Sequence, residues 1–156
     1  MKSVKNNFLT IKIIKDKLDA YIPSDYKIKK WANLAFNSNK KSTIYIKLSN
    51  QNEIMKLNKK FFKKNKACNV LSFPNNSYLG NNENILGDII ICPNVVNKES
   101  VMYNKNIDGR WAHMVIHSML HIQGYKHKLK KDKTIMEAKE KELMKILGYP
   151  DPYYAN

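Results

Sequence analysis

The sequence predicts an α+β fold: a single domain over 1–156 with a small mixed β-sheet of about four strands packed with about five helices. Three observations carry that prediction. Short β-branched runs are bounded by polar residues, other stretches repeat their apolar residues at helical spacing, and the last third of the chain has no strand pattern. The 156 residues suit one core rather than two, and 43% hydrophobic with 26% charged residues is a globular composition.

Taken in order, Asn7 to Ile14 and Ser42 to Leu48 alternate apolar and polar residues and predict half-buried strands. Between them, Ile28, Trp31, Ala32, Leu34 and Ala35 predict a helix over Tyr26 to Phe36. Ile54, Met55, Leu57 and Phe61 predict a second over Asn50 to Phe62. Asn69 to Phe73 reads as a brief strand stopped by Pro74. The Asn- and Gly-rich run PNNSYLGNNEN, residues 74–84, reads as a loop. GDIIIC, Gly87 to Cys92, is an apolar run of the length of a strand buried on both faces, and Pro93 opens a helix to about Val101. Asp108 is expected to cap a helix covering Trp111 to Ile122, with Gly124 as its stop; a last helix spans Lys131 to Leu147 and ends at Gly148. Periodicity does not fix the strand order.

Lys and Arg number 28 against 13 Asp and Glu, a formal charge of +15 that favours a polyanionic partner, RNA first. The plainer reading is compositional: Lys, Asn and Ile abound and Arg110 is the only arginine, as an A+T-rich coding sequence would produce. No stretch joins a basic face to a broad apolar one, so a membrane partner is not expected. The Lys- and Asn-interrupted opening lacks the apolar run of a secretory signal, which predicts a cytoplasmic protein. Cys68 and Cys92 are expected to be buried thiols, not a disulfide.

All four histidines fall between 113 and 127, the last three within H-S-M-L-H-I-Q-G-Y-K-H. His117 and His121, four apart on a helix, share a face and point two imidazoles at one ion. His113 is on the same stripe, yet eight residues of helix separate it from His121 by about 12 Å, so both cannot serve one ion. Gly124 decides between the pairs: a left-handed glycine turns the chain and returns His127 toward His121. His117, His121 and His127 are therefore the expected ligands of one divalent ion, zinc, with a coordination position left open for catalysis. His113 is expected to pack or to support a ligand.

The spacing H-x-x-x-H-x-x-G-x-x-H also matches metzincin peptidases, which place a Glu general base directly after the first histidine. Ser118 stands there instead, so the peptidase reading lacks its base. The histidine frame, NVLSFP at Asn69 to Pro74, LGDIIIC at Leu86 to Cys92 and LGYPDPY at Leu147 to Tyr153 together resemble the YbeY family of bacterial rRNA-maturation endoribonucleases. The resemblance covers about residues 57 to 153. It implies a mixed-sheet α+β domain, zinc on the three histidines and single-strand-specific endoribonuclease activity. It further implies maturation of the small-subunit rRNA 3′ end and ribosome quality control, with rRNA and the small ribosomal subunit as partners and no DNA.

Within LNKKFFKKNKACNVLSFP, Phe62 stands where the family frame has an arginine, Ser118 replaces a glycine and Lys126 an aspartate. Phenylalanine donates no hydrogen bond to phosphate, so Lys60, Lys63, Lys64 and Lys66 are the candidate substrate-binding residues; the alternative is a solvated helix end. Two further readings follow: a ribosome-assembly factor with structural zinc and decayed nuclease activity, and, ranked last, a metallopeptidase.

Overall fold

The computed structural model describes residues 8–75 and 84–154. Nine elements follow in chain order: β1 (Leu9–Lys15), α1 (Asp25–Ala35), β2 (Ser42–Leu48), α2 (Gln51–Phe62), β3 (Val70–Pro74), β4 (Ile85–Ile91), α3 (Pro93–Met102), α4 (Ile107–Ile122) and α5 (Lys130–Ile146). The fold is the expected α+β domain. Of the expected first strand, Asn7 lies outside the described residues, as do residues 76–83 of the expected loop.

The sheet runs β1-β2-β4-β3. β1 pairs parallel with β2, and β2 parallel with β4, whereas β3 closes the other edge antiparallel to β4. Parallel neighbours need a crossover: α1 supplies the first and α2 with β3 the second. Ile44, Ile46 and Leu48 of β2 and Ile89 and Ile91 of β4 have no exposed surface. They form one core with Ile28, Trp31 and Ala32 of α1 and Trp111, Val115 and Met119 of α4. The opposite face buries Leu71, Ile90 and Cys92 against Ile54 of α2. The alternation of Ile89, Ile90 and Ile91 between these two clusters is why GDIIIC reads as a run apolar on every side.

α4 is the central helix, buried along most of its circumference and packed against α1, α3 and α5. Its start corrects the expected cap. Asn106 is the N-cap, its side chain accepting the Gly109 N–H at 2.9 Å, and the helix begins at Ile107 rather than after Asp108. Asp108 is instead a first-turn residue whose carboxylate accepts from Tyr21 at 2.5 Å and Lys27 at 2.6 Å, tying α4 to α1 and its lead-in. Asn106 has the side-chain oxygen that capping needs, and an acid in the first turn, where Asp108 stands, is favoured by the helix dipole. Cys92 is buried and Cys68 half-buried, both as free thiols.

Gly87 shows why β4 needs a glycine at that position. Its φ is +154°, and a Cβ there would come 2.4 Å from the Phe73 carbonyl oxygen and 3.2 Å from Ile122 Cδ1. This close approach seats the C-terminal end of α4 against the β3–β4 ribbon.

Candidate metal centre

His113, His117 and His121 follow one another at four-residue spacing on α4, whose apolar sides hold the helix in the core. After Ile122, Gly124 takes φ +104°. Its N–H reaches the His121 carbonyl and the Tyr125 N–H the Leu120 carbonyl, both at 3.1 Å. This pair of bonds is a Schellman turn, which satisfies the last helical carbonyls and reverses the chain. The reversal presents the Tyr125 carbonyl to His121 Nδ1 at 3.0 Å and brings His127 alongside. The ring centroids of His117, His121 and His127 lie 6.3, 5.8 and 5.1 Å apart pairwise.

A carboxylate meets these histidines from α5. Glu140, fully buried, lies 2.5 Å from His113 Nε2 and 3.3 Å from His117 Nδ1, and it accepts the Tyr153 hydroxyl at 2.7 and 2.9 Å. One ligand atom each from His113, His117 and Glu140 lies within 4.8 Å of the others, a group able to hold an ion. Burial works against the Glu140 charge, but the hydrogen bonds from His113 and His117 prevail and bring its pKa down to about 2. Tyr153 is pushed well above the ordinary phenol range, by burial first and then by Glu140, so it stays a donor.

These contacts set the imidazole protons. A carbonyl only accepts, so His121 carries its proton on Nδ1 and leaves Nε2 with a bare lone pair. His117 does the same by donating Nδ1–H to the Glu140 carboxylate. His113 has both nitrogens engaged, since the Arg110 guanidinium lies 3.5 Å from Nδ1. Burial lowers the pKa of His113 and of His121, the latter also through the neighbouring His127 and His117, so the neutral form that binds metal is favoured.

A cavity of about 270 Å³ opens beside the cluster, lined by His117, His127, Lys133, Met136, Glu137, Glu140 and Tyr153. Lys60, Lys63, Lys64 and Lys66 do not line it. They are exposed on the last turn of α2 and the segment after it, on the sheet face opposite α4. Phe62 is beside them, its ring 5.8 Å from that of Phe73. Ser118 is buried and donates to the Met114 carbonyl at 2.8 Å, so it does not face the cavity as a base.

A protein-family comparison matches residues 12–148 to the model described as endoribonuclease YbeY. The chain belongs to the YbeY endoribonuclease family. Curated members include an endoribonuclease YbeY of Buchnera aphidicola from Schizaphis graminum, 39% identical over 99% of this chain and 98% of the relative. Another, from Wigglesworthia glossinidia brevipalpis, is 39% identical over 97% of this chain and all of the relative. A solution structure from Thermotoga maritima shares the fold with a TM-score of 0.57 at 23% identity, covering 87% of each chain. No helix among the described residues is long and apolar enough to cross a membrane.

Glu140 and Tyr153 escaped the sequence reading. The signal for Glu140 was present: it occupies the buried stripe of α5 with Met136, Leu143 and Met144, where an unpaired carboxylate is not tolerated. Tyr153 gave no such signal, because its hydroxyl reaches Glu140 only through the fold of the C-terminal segment.

Proposed function

We propose that this protein is a zinc-dependent, single-strand-specific endoribonuclease, a single domain over 1–156 that works in the cytoplasm on rRNA and the small ribosomal subunit. On this reading it matures the small-subunit rRNA 3′ end and serves ribosome quality control. One Zn2+ per chain is held by His117, His121 and His127, and these three act catalytically through the ion. Family membership supports RNA hydrolysis, and one observation carries the ligand set. His117 and His121 each spend Nδ1 on a fixed acceptor, which leaves Nε2 unprotonated, as in metal-binding histidines.

Imidazoles sharing a tetrahedral ion at about 2.0–2.1 Å have ring centroids roughly 5 Å apart. The observed 5.1–6.3 Å is within reach of small side-chain rotations. Two ligands of one such ion lie about 3.3 Å apart, whereas His113 Nε2 and Glu140 approach to 2.5 Å. That separation suits a shared proton, which favours reading His113 and Glu140 as supports of His117. A zinc ion so held supplies Lewis acidity toward a phosphoryl oxygen and lowers the pKa of water to about 7. Glu140 fixes the His117 ring, the Tyr125 carbonyl fixes the His121 ring, and Tyr153 keeps the carboxylate in place. Lys60, Lys63, Lys64 and Lys66 supply positive charge for phosphates of the strand.

Elemental analysis of the purified protein is expected to give one zinc per chain, lost from each of His117→Ala, His121→Ala and His127→Ala. Cleavage of unpaired RNA should stop with chelator and in the same variants. Full zinc retention in His127→Ala alongside its loss in His113→Ala would transfer the ion to the His113, His117, Glu140 group.

Phe62 favours a second reading, an assembly factor that keeps zinc for folding. Its expected outcome is protein that binds small subunits and zinc but cuts no RNA, with or without Phe62→Arg.

A further inference from the structure

The end of α2 has features that neither a metal site nor a phosphate-binding patch requires. Phe61 and Phe62 are adjacent in sequence and exposed at 37% and 45%. Both rings meet Phe73 of the edge strand β3, Phe61 edge-on at 5.1 Å and Phe62 tilted at 5.8 Å. Lys60 Nζ lies 5.3 Å over the Phe61 ring. Around this group lie Lys59, Lys63, Lys64 and Lys66, all exposed. The sequence has no Asp or Glu from Ile54 to Asn82, and among the described residues none of these lysines forms an ion pair.

The backbone here is also held in place. Lys63 ends the helix in the left-handed conformation at φ 59°, with its N–H on the Asn58 and Lys59 carbonyls. The buried Asn58 amide donates to the Lys66 carbonyl at 3.0 Å, and the Lys64 N–H reaches the Asn58 carbonyl at 3.3 Å. The backbone that carries the rings and charges is thus fixed before binding, so ordering costs are confined to the side chains. Helix-dipole compensation accounts for lysines at a helix C-terminus. It gives no reason for two exposed phenylalanines among them.

We infer that Phe61 and Phe62, backed by Phe73, form a platform on which an unpaired RNA base stacks, while the surrounding lysines hold its flanking phosphates. A π-face with cations at its rim takes any base and rejects one sealed inside a duplex, so the platform selects single strands without reading sequence. The sheet places it usefully. Phe73 belongs to β3, whose backbone abuts Gly87, and Gly87 lies under Ile122, the residue after His121. A strand anchored at α2 would round the β3 edge to reach the histidines on the other face of the sheet. This deepens the ribonuclease reading and depends on it.

The test titrates the full chain into a labelled short oligoadenylate with 2′-O-methyl riboses, and into the same strand paired with its complement. Phe62→Ala should weaken single-strand binding on the order of tenfold and leave duplex binding within about twofold. Phe62→Trp should keep the affinity, and its exposed indole should be quenched by the single strand alone. Wild-type affinity in Phe62→Ala, or an indole blind to the strand, overturns the platform while RNA binding stands. Failure of the unaltered protein to bind either RNA overturns the ribonuclease reading together with it. Self-association lost in Phe62→Ala, with RNA affinity unchanged, would assign the rings to a second copy of the chain and equally overturn the platform.

Discussion

A carboxylate cut off from solvent keeps its charge only where donors surround it, and Glu140 has three: His113, His117 and Tyr153. The network continues outward, since Arg110 approaches His113 and binds Glu99 at 2.9 Å, and Glu99 in turn accepts from Asn69. The single arginine of the chain is therefore spent on structure, which leaves lysines as the cations available to a polyanion. An amide in place of the carboxylate presents one oxygen where several donors converge and turns an N–H toward another. Glu140→Gln is thus expected to cost about 3 kcal/mol of stability in urea unfolding. By releasing the His117 ring, it should also weaken zinc binding about tenfold to a hundredfold in a chelator competition. Tyr153→Phe removes one donor of three and should cost about 1 kcal/mol. Equal zinc affinity in Glu140→Gln and the unaltered protein would deny the carboxylate its orienting role.

Two helices end with the same device. The Schellman turn at Gly124 recurs at Gly148, where φ is +85° and the Tyr149 N–H bonds the Met144 carbonyl at 3.0 Å. The first turn brings His127 beside His121, the second begins the segment that delivers Tyr153. Both glycines were readable as stops because a left-handed residue after an apolar stripe leaves a strong mark in sequence. Gly87 was not, because its requirement comes from the Phe73 carbonyl of another strand. The two cases separate in energy. At Gly124 an added Cβ meets nothing within 4 Å, so Gly124→Ala should cost only the conformational penalty of about 1–2 kcal/mol. At Gly87 the methyl would strike backbone as well, and Gly87→Ala should cost at least about 3 kcal/mol. Urea midpoints at matched slopes check the ranking, and equal losses at the two sites would show that the close approach at Gly87 relaxes without cost.

Over the whole molecule, the elements were legible and their arrangement was not. Periodicity reports which face of a segment is buried, as it did for Ile28 to Ala35, but not which strand lies beside which. The insertion of β4 between β2 and β3 follows from crossovers and core volume that no local pattern encodes. The histidines were legible because one helix and one turn hold them all; Glu140 and Tyr153 come from elements that meet only in the fold. The charge of +15 poses the remaining question at this scale: a compositional drift would leave all lysines equivalent, whereas a binding surface would not. The edges of the sheet offer the comparison, with Lys12 on β1 and Lys17 just after it, and Lys63 and Lys64 at the end of α2. Single-strand binding releases about 0.7 counterion per neutralised phosphate. Five engaged lysines, 59, 60, 63, 64 and 66, therefore predict a slope of log K against log salt near −3.5, from 5 × 0.7. Replacing Lys63 and Lys64 by Gln together should flatten the slope by about 1.4, and replacing Lys12 and Lys17 should leave it unchanged. If both pairs flatten it alike, the positive charge acts as a diffuse field and the α2 end holds no phosphates of its own.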